Sequence, residues 1–177
     1  MMRRFAPFVV LAGLGWASSA RADTTSWVSL GGGIGHLETP GRVNAVSAQI
    51  PIDAGVGLPP SMPIVVGVGV KFLPHIGEGL DYGAYLRAAT QRYVLGGFGL
   101  ALDAGAYRRT FADESSGFLG VLNVGLPWGF VASGNYGRAA DGVQTLGVSL
   151  GLDFLRLTVY RLAGEQQWYN VRPAWRP

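Results

Sequence analysis

Cysteine is absent from this 177-residue chain. That excludes a disulfide framework, a thiolate metal site and a lipid-modified cysteine at an export cleavage point. Histidine occurs only as His36 and His75, too few for a histidine-rich metal centre, and no cofactor is expected. Lysine occurs once, at Lys71, and charged residues make up only 14% of the chain. After residue 23 there is no amphipathic helical periodicity, no linker and no low-complexity block. A long hydrophobic run is missing too. The apolar stretch "FAPFVVLAGLGW" falls short of the roughly 20 residues a membrane helix needs.

That stretch reads instead as export chemistry. It follows the positive "MMRR" and precedes "ASSARA", whose Ala20-Arg21-Ala22 matches an A-x-A cleavage site. Residues 1–22 are therefore expected to be a signal peptide and residues 23–177 a single domain. Of the 14 basic residues, Arg3, Arg4 and Arg21 leave with the signal. The remaining 11 match the 11 acidic ones, so the basicity of the full chain is no argument for a nucleic-acid partner.

What is present is alternation. In "PIVVGVGVKF", Ile64, Val66, Val68, Val70 and Phe72 share one strand face, and Val65, Gly67, Gly69 and Lys71 the other. "GFGLALDAGAY" and "TLGVSLGLD" repeat the arrangement, one face branched and apolar, the other Gly, Ala and Ser with scattered charges. Candidate strands are Trp27–His36, Asn44–Asp53, Ile64–Phe72, Asp81–Gln91, Gly97–Arg109, Gly117–Gly125, Gly129–Gly137 and Val143–Gly151. Leu155–Leu162 and Gln167–Arg172 raise the number from eight to ten. Polar connections such as "HLETPGR", "LPHIGEG", "FADESSG" and "RAADG" alternate with short or apolar ones such as "LPWG", as in transmembrane barrels with long outer loops and short periplasmic turns.

Aromatic residues gather at strand ends. Trp27, Tyr93, Phe98, Trp128, Phe130 and Phe154 fall at the proposed periplasmic ends. Phe72, Tyr82, Phe118, Tyr136, Tyr160 and Trp168 fall at the outer ends. Two such belts are expected where amphipathic rings sit at membrane–water interfaces. The inward-facing charges Lys71, Arg87, Asp103, Asp153 and Arg156 are the candidate lumen set, expected to pair as a plug.

Across residues 23–177 the pattern resembles small bacterial outer-membrane β-barrel proteins. The expectation is a closed antiparallel up-and-down transmembrane β-barrel of eight or ten strands, exported through the periplasm to a bacterial outer membrane. Its partners would be outer-membrane lipid, lipopolysaccharide and the assembly machinery. Such proteins usually end on an aromatic residue, whereas this chain ends "VRPAWRP".

Function is expected to be non-enzymatic, structural or surface-interacting, around a narrow lumen filled by polar side chains. Two alternatives stand beside it. One is a soluble periplasmic barrel or sandwich carrying an apolar ligand, with the greasy faces turned inward. The other is a lipid-modifying barrel hydrolase built on a rim His, a Ser and an acid. "GVSLG" around Ser149 matches the nucleophile elbow but lies in an alternating strand with no downstream His. "GGGIG" at residues 31–35 lacks the helix and Lys-Ser/Thr of a phosphate loop. Asp113 and Glu114 could bind a divalent cation or bridge lipopolysaccharide, but a solvated loop is the better account of them.

Overall fold

The computed structural model describes residues 24–41, 44–111 and 114–158. The expected signal peptide and the strand expected over Gln167–Arg172 lie outside them. So do Asp113, Tyr160 and Trp168.

Nine strands form one antiparallel sheet: β1 (Thr25–Glu38), β2 (Ala45–Gln49), β3 (Ile52–Gly57), β4 (Ile64–His75), β5 (Gly79–Thr90), β6 (Gly99–Arg109), β7 (Ser116–Gly125), β8 (Phe130–Ala139) and β9 (Gln144–Asp153). β2 and β3 both lie between β1 and β4, the other consecutive strands are neighbours, and β9 pairs with β1, so the sheet closes into a ring of hydrogen bonds.

β2 and β3 are two halves of one stave. Gly33 faces Gln49 and Leu30 faces Ile52, so the register against β1 does not change across the break. The interruption is chemical, because Pro51 has no N–H to donate to the ladder. Pro74 stands beside it on β4, where its carbonyl accepts from Ile50 N at 3.1 Å. The barrel therefore has eight staves, the lower of the two expected numbers. The strand expected over Leu155–Leu162 is replaced over its first part by a short helix, α2 (Phe154–Thr158). Asp153 Oδ1 turns the chain there by accepting from Leu155 N at 3.0 Å and Arg156 N at 3.2 Å.

The ring has a definite shear. From Thr25 the paired residues run Gly57, Gly67, Arg87, Asp103, Val121, Asn135, Gly147 and back to β1 at Gly35. The return lies ten residues beyond the start (35 − 25). For eight strands this stagger requires a tilt of about 40° and leaves an interior just wide enough for side chains.

Alternation decides which side chains enter it. Ile34, Leu86 and Leu146 are each 60% exposed or more on the outside, while Lys71, Arg87 and Asp103 are buried. The soluble-carrier expectation is thereby overturned: the greasy faces point outward and the interior carries charge. Two small apolar clusters bracket that charge, Val65–Ala89–Tyr93–Val94–Ala101 at one end and Tyr107–Leu119–Val121–Ala139–Val143 at the other.

The expected contrast of loop lengths is also corrected. Only three residues separate His75 from Gly79 at the supposed outer end. The Thr90–Gly99 connection at the other end contains a helix, α1 (Gln91–Val94). Much of "HLETPGR" and "LPHIGEG" continues the strands instead of forming loops.

Candidate functional site: a charge-compensated lumen

Every second residue of each stave points inward, and glycine is frequent there because large side chains from neighbouring staves need the room. A Cβ at Gly67 would stand 2.6 Å from Trp27 Cη2, and one at Gly69 would stand 2.5 Å from Tyr85 Oη. The nearly empty face of β4 is thus occupied by residues of β1 and β5.

The middle of the lumen holds two hydrogen-bonded clusters, joined by the Arg87–Asp53 ion pair at 3.5 Å. Arg87 donates to both oxygens of Asp103, Nε to Oδ1 at 2.6 Å and Nη2 to Oδ2 at 2.8 Å. The two residues face each other across β5 and β6, so the ladder itself sets the pair. Asn123 Nδ2 adds a bond to Asp103 Oδ2 at 2.9 Å, and Ser133 Oγ donates to Asn123 Oδ1 at 2.7 Å. On the other flank Asp53 accepts from Lys71 at 3.2 Å, Ser29 at 2.8 Å and Tyr85 at 3.0 Å. Trp27 Nε1 donates to Tyr85 Oη at 2.6 Å, and the Arg87 guanidinium lies 4.5 Å from the Trp27 ring. A guanidinium satisfied by a carboxylate and an aromatic face tolerates burial that an isolated charge would not.

Nearer the β4–β5 turn lies a second network. Arg109 grips Asp81 through Nε at 2.9 Å and Nη2 at 2.8 Å, and Nη2 also donates to Thr145 Oγ1 at 2.8 Å. His75 Nε2 is 3.2 Å from Asp81 Oδ2, and its Nδ1 is 3.3 Å from Ser47 Oγ and 3.4 Å from Gln49 Nε2. The Phe111 ring covers both, 5.3 Å from the His75 ring and 4.6 Å from the Arg109 guanidinium.

The opposite mouth is closed by Arg156 of α2. Its Nη2 donates to the carbonyl of Gly97 at 2.9 Å and lies 3.4 Å from that of Leu126, while Nη1 reaches that of Phe130 at 3.3 Å. Tyr93 of α1 lies beneath, its ring 4.5 Å from the guanidinium. Thr90 Oγ1 caps α1 by accepting from Tyr93 N at 3.3 Å, which turns the ring inward. Burial pushes the Tyr93 phenol well above its ordinary pKa and lowers that of Arg156, with Tyr93 and Asp153 acting in the opposite direction on the guanidinium.

Among the described residues the lumen therefore holds four aspartates (Asp53, Asp81, Asp103, Asp153) and four basic side chains (Lys71, Arg87, Arg109, Arg156). The five expected lumen charges all lie inside and buried. Asp53, Asp81 and Arg109 were missed, although parity marks them: Asp53 alternates with Gly55, Asp81 with Arg87, and Arg109 with Asp103.

The aromatic expectation needs two corrections. Trp27 and Tyr93 are buried in the lumen and belong to no outer belt. Trp27 follows the parity of Ser29, while the outward face of β1 is Val28, Leu30 and Ile34. Phe72, Tyr82, Phe118 and Tyr136 are exposed at one end of the barrel, and Phe98, Trp128, Phe130 and Phe154 at the other.

The histidines separate. His36 is exposed on the outside of β1, opposite Val46 and Leu146, neither of which carries a hydroxyl. His75 is no loop residue but a buried one. Ser149 faces inward near Gly33 in mid-strand, and the 31–35 glycine run is part of β1, so neither motif has its required setting.

No protein-family model and no curated protein matches the chain. Among solved structures, that of Ail, the attachment invasion locus protein of Yersinia pestis, is similar over 74% of this chain and 97% of that one. The identity is 11% and the TM-score 0.28, a likeness too slight to build on. The barrel rests on its own closed ladder.

Proposed function

We propose that this chain is a non-enzymatic β-barrel of a bacterial outer membrane, a structural or surface-interacting protein whose lumen is plugged by paired charges. One observation carries the reading: the barrel is apolar outside and charged inside, the inverse of a soluble fold. Closure supports it, since an open edge cannot exist in hydrocarbon. The outward run Ile64–Phe72 rises about 20 Å when tilted by about 40°, close to the apolar band of such barrels. The exposed rings at either end suit the two interfaces. Export by the residue 1–22 signal and insertion by the assembly machinery complete the proposal.

The test is an outer-membrane fraction run boiled and unboiled on a denaturing gel. The unboiled protein should migrate as a compact band that shifts on boiling. Recovery in the soluble periplasm without a shift would sink the membrane reading.

A second reading has one observation in its favour. Ser47, His75 and Asp81 stand in the order nucleophile, base, acid, with separations of 3.3 and 3.2 Å. Against it, the Ser47 hydroxyl is buried, Gln49 shares the same imidazole nitrogen, and Asp81 is already held by Arg109. A fluorophosphonate probe should therefore leave Ser47 unlabelled in the folded barrel. Labelling that disappears in Ser47→Ala would instead establish a hydrolase.

A further inference from the structure

The outward face is not uniform. Over β3 to β6 it sinks into an open apolar groove of about 600 Å³, floored by Ala54, Ala84 and Ala104 and walled by Val68, Val70 and Leu86. At its head, two residues beyond Ala106 on the same face of β6, stands Arg108, opposite Tyr82 of β5. Arg108 is more than half exposed and pairs with the exposed carboxylate of Glu114 at 3.6 Å. Arg138 projects outward from β8; it faces Phe118, and Arg108 faces Ser116, along the intervening β7. Two strand spacings and one pleat repeat place their backbones about 12 Å apart.

Resting on the membrane reading above, we propose that this groove and its two guanidiniums form a site for a phosphorylated, multiply acylated glycolipid of the lipid A class. The groove takes one acyl chain. Arg108 and Arg138 take phosphates of its disaccharide headgroup, and phosphate displaces Glu114 from its exposed pair. Lipid tails are as apolar as the groove, so the chain's fit contributes only packing, with no hydrophobic transfer. Selectivity then comes from the headgroup, where a guanidinium meets phosphate oxygens through two charge-assisted hydrogen bonds. A phospholipid with a single phosphate reaches only one of the two cations. Two basic residues at the groove's head complement an anionic lipid headgroup.

The experiment reconstitutes the full barrel in phosphatidylcholine nanodiscs doped with bisphosphorylated lipid A, its monophosphoryl form or phosphatidylglycerol. Co-purified lipid is then quantified by mass spectrometry. Bisphosphorylated lipid A should be enriched about tenfold over the bulk, with most of that lost in Arg108→Gln and in Ala104→Phe, which fills the groove. Arg92→Gln, at the opposite end of the barrel, should leave the enrichment unchanged. Equal enrichment of phosphatidylglycerol, or enrichment indifferent to both site variants, overturns the site. A heat-shifting barrel with no enrichment refutes the lipid site alone. A chain that fails to enter the bilayer removes the membrane reading and the site with it.

Discussion

The Arg87–Asp103 pair is the residue on which the middle network turns. Both partners are at least 97% shielded from solvent, so cutting one leaves a charge with nowhere to go. Asp103→Ala should cost about 3 kcal/mol, the low end of the range for breaking a buried pair, because Asp53 already stands 3.5 Å from Arg87. Replacing both, as Arg87→Met with Asp103→Leu, should recover most of that loss. The urea midpoint of tryptophan fluorescence in vesicles reads both effects, and a double variant as weak as the single one would contradict the account. Parity accounts for what was readable at this scale. Lys71, Arg87 and Asp103 alternate strictly with greasy neighbours, so their sharing of one face, opposite the apolar one, follows from the pleat. Tyr93 obeys no such rule, because it lies within the one-turn helix that interrupts the strand pattern.

At the scale of the element, the seam between β2 and β3 is the weak point of an otherwise continuous ladder. Gly31 N donates to Pro51 O at 2.9 Å, but Pro51 returns nothing to Gly31, and Pro74 likewise returns nothing to Ile50. Pro51→Ala supplies an N–H at a position whose register is already set on both sides. It should stabilise the barrel by about 1 kcal/mol, the usual net contribution of one hydrogen bond. Amide exchange of Ala48 and Ile50 should slow along with it. Faster exchange in the variant would show that the proline's stiffness outweighs the missing bond. The chain as written places Asn44–Asp53 in one strand, and the constant register agrees with that; only the ladder bonds are interrupted. α2 shows the converse. "LDFLRL" alternates well enough for a strand, but Asp153 caps it and Arg156 finds three carbonyls at the mouth, so tertiary partners override the local pattern.

For the whole molecule, closure at eight staves with a shear of ten leaves a lumen that side chains fill. Three of the buried carboxylates pair with Lys71, Arg87 and Arg109 within it, and Arg156, held by backbone carbonyls, seals one mouth. Purified barrel in a planar lipid bilayer should therefore pass no steady current above the bare membrane. Stable single-channel steps in the unmodified protein would show that the paired charges line a path instead of blocking it.

Composition and alternation by themselves determine that the chain is all-β, that its apolar residues share one face and that its few charges share the other. Those properties are local, set by a two-residue period that needs no knowledge of neighbours. Alternation has no direction, however: it says that two faces differ and leaves open which one encloses the other. Only the closed tertiary structure decides that the charged face lies inside, that eight staves suffice and that Trp27 joins the lumen. It also decides that His75 meets Ser47 and Asp81 across three different staves. Each of these depends on the register between strands distant in sequence, where a shift of one residue would turn every side chain to the other face.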